Sequence, residues 1–276
     1  MSALALALLC WAIGAVGALL LWERRLAAPV GAAGAVAGGV AAAVAAFHAL
    51  GAAPATWRAP WSVPMGALAL RLDPLAAVFL LPIAVAGALC AVYGVAYLTR
   101  HAHGRPLGGS FAAYDVLLAS MALIVTANDL VLLLIAWELM TLSSWALVVS
   151  DHEERAVRAA GLQYLIAGHL ATAALVVLVM MLATASGTFE IAALAGRTPA
   201  AGGVLFLLAL IGFGTKAGIV PMHVWLPDAH PAAPSHVSAL MSAVMITMGF
   251  YGLARFIPLF GAPALWWAYL LMALGA

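Results

Sequence analysis

The chain has 276 residues, of which 67% are hydrophobic and 8% are charged, and its formal net charge at pH 7 is +1. A soluble domain carries about 25% charged residues because its surface must face water, so this composition excludes a soluble globular protein. Without a Lys/Arg-rich run, we expect no nucleic-acid partner. We predict an all-α, polytopic transmembrane helix bundle of about eight full spans and the start of a truncated ninth.

Apolar stretches bounded by charged residues, proline and glycine give the predicted spans in chain order. Residues 51–73 hold three prolines and two tryptophans, and this segment is predicted to be an interfacial loop with room for a short hairpin. The predicted spans cover residues 3–22, 29–50, 74–98, 111–127, 130–149, 157–184, a segment from 203 that is interrupted at Pro221, and 235–257.

Arginines in the loops predict the orientation of the spans. Six of them lie in the loops after spans 1, 3 and 5, and four lie on the opposite side. Because basic residues favour the cytoplasmic side, we expect a multi-pass protein of the inner (plasma) membrane with its N-terminus outside. The larger set is Arg24, Arg25, Arg100, Arg105, Arg155 and Arg158, and the smaller is Arg58, Arg71, Arg197 and Arg255.

Lys216 is the single lysine of the chain, and it lies inside the apolar helical pattern Val204–Val220. A lysine at the centre of a membrane helix costs about 3 kcal/mol on insertion scales, so such residues are usually functional. A structural ion pair or a snorkelling side chain is the alternative, but Lys216 is too far from both helix ends to snorkel easily. We therefore predict that Lys216 takes part in proton translocation.

Glu138 is the second charge at mid-membrane depth, near the middle of span 5. An ionised carboxylate in an apolar environment needs a partner, and Lys216 is the natural one. A Glu–Lys pair with coupled titration can hold or release a proton according to the separation of the two groups. The alternative is a static pair that only fixes the packing of two helices.

The helix that carries Lys216 is predicted to break shortly after it. Pro221 lacks a backbone N–H donor and crowds the carbonyl of Ala217, and Gly218 loosens the same stretch. Broken helices at membrane depth persist where protein or water satisfies the freed backbone groups, and they mark ion and substrate sites in transporters. A break beside the single lysine therefore favours an ion-translocation site.

Titratable side chains follow the break and could relay protons between water and the lysine, since imidazole titrates near neutrality. A zinc site is the competing interpretation, but the spacing fits no compact zinc motif and no cysteine is near, so we predict no metal. The proposed relay residues are His223, Asp228, His230 and His236.

Three further polar residues occupy predicted spans or their ends. His169 in span 6 is expected to be buried, either as a core histidine bonded to a carbonyl or as another relay member. Asp115 and Asp129 are predicted to be interfacial or capping residues. The chain has no phosphate-binding loop, no Gly-rich dinucleotide motif and no cysteine cluster, so we expect no cofactor, no catalytic centre of its own and no ATP-driven transport by this chain alone.

Two motifs resemble those of the antiporter-like proton-translocating subunits, which include membrane subunits of respiratory complex I, Mrp-type antiporters and group 4 hydrogenases. The resemblance covers residues 70–260 and rests on WELMTLSS at 137–144 and GFGTKAGIVPMHVWLPDAH at 212–230. The continuation APSHVSALMS at 233–242 is most similar to the formate hydrogenlyase and hydrogenase-4 component B branch.

The resemblance implies a bundle of about fourteen helices made of two inverted five-helix repeats, each with one broken helix. It implies that Glu138 and Lys216 form the central pair of the first half-channel. Many members carry a further lysine on helix 8, where this chain has Thr247, which can bond water but cannot carry charge. The second repeat is absent, so we expect an N-terminal half. Residues 1–110 would hold helices 1 to 3, residues 111–260 the first repeat, and residues 261–276 the start of helix 9.

The implied function is proton translocation in a hydrogenase or NADH-quinone oxidoreductase-type complex, through a half-channel centred on the Glu–Lys pair. Expected partners are the lipid bilayer, other membrane subunits of such a complex, and protons or Na⁺. Two alternatives stay open: a subunit of an Mrp-type cation/proton antiporter, and a truncated scaffold that transports nothing.

Overall fold

The computed structural model describes residues 1–59, 65–101, 105–196 and 201–275. Within these residues, eight helical segments are long and apolar enough to cross a membrane. The predicted polytopic helical bundle is therefore confirmed, and the only sheet in the described residues is a two-stranded hairpin.

The bounds of the elements follow the predicted spans closely. Spans 7 and 8 are each assembled from shorter pieces. The elements are α1 (Ser2–Leu20), α2 (Ala27–Leu50), β1 (Ala55–Ala59), β2 (Leu68–Leu72), α3 (Pro74–His101), α4 (Gly108–Thr126), α5 (Leu130–Val148), α6 (Arg155–Ser186), α7 (Gly202–Ala217), α8 (Leu226–Ala232), α9 (Ser235–Leu240), α10 (Ile246–Phe256) and α11 (Leu265–Gly275).

The predicted interfacial loop contains a short β-hairpin, which was one of the structures expected there. Its strands β1 and β2 are antiparallel, with Ala55 opposite Leu72. The hairpin is anchored on the turn between α4 and α5, where the Asn128 N–H donates to the Ala69 carbonyl over 2.9 Å. This side of the bundle is therefore covered by ordered backbone that ties the N-terminal helices to α5.

Glycines allow α1 and α2 to cross closely. A Cβ built on Gly14 would lie 2.9 Å from the Cα of Gly34 and would collide with the carboxylate of Asp115 on α4. Asp115 is fully buried at this three-helix contact, and neither of its oxygens has a hydrogen-bond partner. The prediction of an interfacial or capping role for Asp115 is wrong, because tight packing of small residues encloses the side chain.

Asp129 does cap a helix. Its Oδ1 accepts hydrogen bonds from the N–H groups of Val131 and Leu132 at the start of α5, and its Oδ2 accepts one from Ala67 of the hairpin. The first-turn N–H groups of a helix have no partner within the helix, so this carboxylate fixes where α5 begins.

The break in span 7 lies directly after Lys216. Helix α7 ends at Ala217, and Gly218 adopts a left-handed conformation with φ of 74° that glycine reaches without steric cost. Pro221 follows and cannot continue the helix, because it has no N–H to donate. A 3₁₀ turn at Met222–Trp225 and the short helix α8 complete the span.

Candidate functional site

The Lys216 ammonium is held by aromatic and hydroxyl groups at the end of α7. The side chain is buried, with 4% of its surface exposed. Its Nζ donates a hydrogen bond to the hydroxyl of Tyr164 on α6. It also lies 4.6 Å from the ring centroid of Tyr164 and 5.7 Å from that of Trp225. A desolvated cation held against an aromatic face gains about 2 kcal/mol or more, and the Trp225 ring is close enough to contribute.

Tyr164 connects Lys216 to α5 through a second hydroxyl. Its oxygen is 2.5 Å from the Oγ of Ser144, and the Ser144 Oγ is also 2.5 Å from the Met140 carbonyl. Because the Tyr164 oxygen accepts a hydrogen bond from Lys216, its own O–H is free to donate to Ser144. A continuous hydrogen-bonded chain thus joins the ammonium on α7 to α6 and α5.

None of the sequence-based predictions included this hydrogen-bonded chain. Ser144 closes the first of the two motifs, and Tyr164 lies five residues before His169 on the same helix. Both signals were present, yet sequence spacing alone could not show that a tyrosine on α6 and a lysine on α7 face each other.

The carboxylate of Glu138 lies beside the imidazole of His169 and forms no ion pair with Lys216. The Oε2 atom of Glu138 is 3.6 Å from the Nε2 of His169, and its Oε1 is buried without a hydrogen-bond partner. The Nδ1 of His169 lies 2.8 Å from the Leu165 carbonyl, which requires a proton on Nδ1. Nε2 and the carboxylate then attract each other only when one extra proton lies between them. At 3.6 Å the two groups are close enough for an ion pair with a doubly protonated imidazole but too far apart for a direct hydrogen bond.

His169 is not buried, contrary to the prediction. Its side chain is 52% exposed on the outer face of α6. The sequence predicted either a bond to a carbonyl or a place in the proton relay. The ring does bond a carbonyl, but this carbonyl belongs to its own helix, one turn earlier. The Glu138–His169 pair is consequently open towards the outside of the described bundle.

Glu138 and Lys216 interact at a distance. No carboxylate of the described residues lies within 4.0 Å of the Lys216 ammonium, so Lys216 forms no ion pair there. Glu138 is nevertheless close enough for its charge to act on the ammonium. A cavity of about 10 Å³ adjoins Lys216 and Tyr164, and it is also lined by Trp137 and Thr141, the α5 neighbours of Glu138. A volume of about this size holds a single water molecule.

The four relay candidates after the break do not form one hydrogen-bonded chain in the described residues. Asp228 is exposed. Nδ1 of His230 lies 3.1 Å from the Ser238 hydroxyl. His236 is 2% exposed and sits between the rings of Tyr97 and Tyr114, at centroid distances of 6.1 and 5.8 Å.

Each of the three histidines nevertheless keeps one buried ring nitrogen without a partner in the described residues. The nitrogens are Nδ1 of His223, Nε2 of His230 and Nδ1 of His236. Buried nitrogens of this kind are ordinarily satisfied by water, which could connect them. No group of three His, Cys, Asp or Glu side chains in the described residues could hold a metal ion.

Thr247 lies half-buried on α10, and its hydroxyl donates to the Val244 carbonyl over 2.6 Å. This carbonyl belongs to a π-helical turn at Met241–Met245 that joins α9 to α10. The hydroxyl is thus occupied by its own helix and presents only an acceptor to its surroundings.

A half-open cavity of about 610 Å³ lies between the loops after α1, α3 and α5 and the start of α9. Its wall includes Tyr97 and Pro234, which adjoin buried His236. At its rim Arg105 donates to Asp151 and, over 3.0 Å, to Glu153, and the bond to Asp151 raises the pKa of Arg105. The cavity therefore ends against residues that adjoin His236, which does not itself line it.

Comparisons with known proteins give the family of the chain. The family model described as "NADH:quinone oxidoreductase/Mrp antiporter, TM" matches residues 127–276. An uncharacterised protein of Mycobacterium tuberculosis is 40% identical over 219 residues, which are 78% of this chain and 33% of that protein. Hydrogenase-4 component B of Escherichia coli is 34% identical over 215 residues, 76% of this chain and 32% of that protein.

Among solved structures, the Mrp complex from Dietzia sp. DQ12-45-1b contains a chain with a TM-score of 0.78 and 28% identity, covering 94% of this chain and 29% of that one. The chain spans about a third of the length of the curated relatives that it matches.

Proposed function

The chain belongs to the NADH:quinone oxidoreductase/Mrp antiporter transmembrane family, and we propose that it contributes a proton-translocating half-channel centred on Glu138 and Lys216. Spans 4 to 8 (residues 111–260), which contain α4 to α10, would form the translocating repeat. The complex would be of the hydrogenase or NADH-quinone oxidoreductase type, because hydrogenase-4 component B of Escherichia coli is among the relatives of this chain.

One observation carries the proposal: a buried ammonium at a helix break has hydroxyl and aromatic partners but no carboxylate in contact. A counter-ion at close range would hold the proton on Lys216. Here the Tyr164 hydroxyl satisfies one N–H without neutralising the charge. Glu138, near but not touching, can then favour or disfavour proton loss according to its own charge.

The proton balance of a transfer is simple. Lys216 gives one proton to a water molecule in the adjoining cavity and becomes a neutral amine, while Glu138 accepts one proton from water and becomes a neutral acid. Glu138 then passes the proton to Nε2 of His169, which restores the carboxylate. Reprotonation of Lys216 would come from the side of His236, whose neighbours Tyr97 and Pro234 line the large cavity.

The membrane arrangement is part of the proposal. We place the N-terminus outside and the loops that carry Arg105 and Asp151 on the cytoplasmic side of the inner membrane, because arginine is more frequent on that side. Other membrane subunits would cover the exposed flank of α6, where His169 and Leu170 face outward. A cysteine at either end, labelled by an impermeant maleimide in intact cells, tests this orientation.

A cation/proton antiporter of the Mrp type is the second candidate, and the likeness to the Dietzia Mrp chain favours it. The two candidates differ in ion dependence. A redox-driven complex would transport protons once the electron donor is added, even in a buffer that lacks Na⁺. An antiporter would dissipate a pH gradient only when Na⁺ or K⁺ is added.

Exchange of the two charges tests transport against a purely structural role. The full-length protein with Glu138→Lys and Lys216→Glu would be produced in cells, and ΔpH formation would be followed in inverted membrane vesicles. We expect a normally assembled protein without proton transport, because the ammonium leaves the Tyr164–Ser144 chain. A scaffold would keep both assembly and the transport of the complex.

A further inference from the structure

A second charged cavity lies on the hairpin side of the bundle, away from Lys216. It has a volume of about 280 Å³ and opens between β2, the turn from α4 to α5 and the end of span 8. Its charged lining consists of Arg71 and Arg255, and much of the remaining wall is apolar, including Leu75 and Leu259. A cavity with this combination suits a ligand that is anionic at one end and apolar at the other.

The two arginines share one carboxylate. Asp73 receives two hydrogen bonds from Arg255, of 2.6 and 2.8 Å, and one of 2.9 Å from the Ala76 N–H. The Nε of Arg71 lies 3.4 Å from the same carboxylate and forms no hydrogen bond. Two guanidinium groups facing one carboxylate leave the cluster with a net charge of +1.

Asp73 remains ionised in this cluster. Burial alone would raise its pKa, but the hydrogen bond and the charge of Arg255, with Ala76 and Arg71, hold the pKa below its ordinary value. The other acidic side chains of this region are engaged as well: Glu190 by Arg58 at 3.7 Å and by the Asn128 amide at 3.1 Å, and Asp129 by three backbone N–H groups. The positive charge of Arg71 is therefore left for a ligand.

We propose that this cavity binds a phosphate group, through the N–H donors of Arg71 and Arg255 that neither Asp73 nor the Tyr251 hydroxyl uses. The planar guanidinium fork matches the geometry of phosphate oxygens. The source is either the headgroup of an anionic phospholipid or free phosphate. Leu75 near the start of α3 and Leu259 just after α10 supply the apolar surface that acyl chains need.

Binding to the purified, delipidated full-length protein tests the proposal. The probes are short-chain phosphatidylglycerol and, separately, inorganic phosphate, and the readout is the shift in thermal unfolding with increasing probe. We expect saturable stabilisation by phosphatidylglycerol that weakens roughly tenfold or more in affinity in Arg71→Gln, because a bond between charged groups is lost. Stabilisation by inorganic phosphate over the same range would identify free phosphate as the source.

The matched control is Arg58→Gln, on the same hairpin but paired with Glu190 and 66% exposed, which should leave binding unchanged. Arg71→Lys keeps the charge without the fork and should bind with intermediate affinity. Equal stabilisation of wild type, Arg71→Gln and Arg71→Lys by both probes would overturn the proposal. Lys216→Ala should bind normally, so failure of the transport proposal would leave this one standing.

Discussion

Lys216 on α7 donates a hydrogen bond to Tyr164 on α6, and this contact directs the ammonium to a hydroxyl and not to a carboxylate. The sole lysine of the chain is thereby kept buried, with no carboxylate of the described residues as a fixed counter-ion. The same hydroxyl lies 2.5 Å from Ser144, so three helices meet through one tyrosine.

Tyr164→Phe should lower proton transport by the full-length protein roughly tenfold or more, since the hydroxyl that links Lys216 to Ser144 is lost while the ring stays. Initial rates of ΔpH formation in inverted vesicles measure the effect. Tyr269→Phe, on an exposed side chain of α11, is the control and should behave as wild type. Equal rates for both variants would show that the hydroxyl does not participate.

His169 and Glu138 should act as one unit, because a proton shared between them needs both groups. We expect His169→Leu and Glu138→Gln to reduce transport, and the double variant to be no slower than the worse single one. A double-mutant cycle on vesicle transport rates gives this coupling. His48→Leu, at the exposed end of α2, should change nothing, and additive losses at 169 and 138 would speak against a shared proton.

Gly14→Ala should destabilise the N-terminal helices by about 1–3 kcal/mol, because the added methyl group has no space against Gly34 and Asp115. The control is Gly51→Ala, where nothing lies within 4 Å of the new Cβ. Thermal unfolding of the detergent-solubilised full-length protein should show a lower midpoint for the first variant only. A matched decrease in both would mean that α1 and α2 do not pack this closely.

Asp73→Asn should destabilise the hairpin side by about 3 kcal/mol, since Arg255 would lose the partner of a largely buried pair. The pKa of Asp73 is lower in the folded state than in the unfolded one. Its contribution is therefore fully present above the unfolded pKa and is lost as the pH falls through the folded pKa.

Unfolding free energies of wild type and Asp73→Asn should accordingly differ by a constant amount from about pH 5 to pH 8 and converge below about pH 4. Chemical unfolding in mixed micelles across this range gives the comparison. A difference that grows on acidification would contradict the ionised state of Asp73 in the fold.

The spans and the two mid-membrane charges could be predicted because lipid imposes a strong local constraint on sequence. Twenty or so apolar residues define a span wherever they occur, and a lysine such as Lys216 is conspicuous within one. The turn at Gly218 and Pro221 follows from backbone chemistry that is equally local. These features need no knowledge of which helix lies beside which.

The partners of the side chains could not be predicted, because they depend on how the helices rotate and pack. Asp115 is enclosed by glycines that lie about 80 to 100 residues earlier in the chain. Opposite charge suggested that Glu138 would contact Lys216, yet the helices place Tyr164 in that position and His169 beside the carboxylate. Composition gives the depth of a residue in the membrane but not the direction it faces.

Proton transport by Lys216→Ala in the full-length protein tests the central claim most directly. The variant would be compared with wild type in inverted vesicles, with its assembled amount measured in the same membranes. We predict normal assembly and no ΔpH formation, because the buried amine that takes up and releases the proton in this proposal is gone. Wild-type transport by the assembled variant would contradict a proton path through this site.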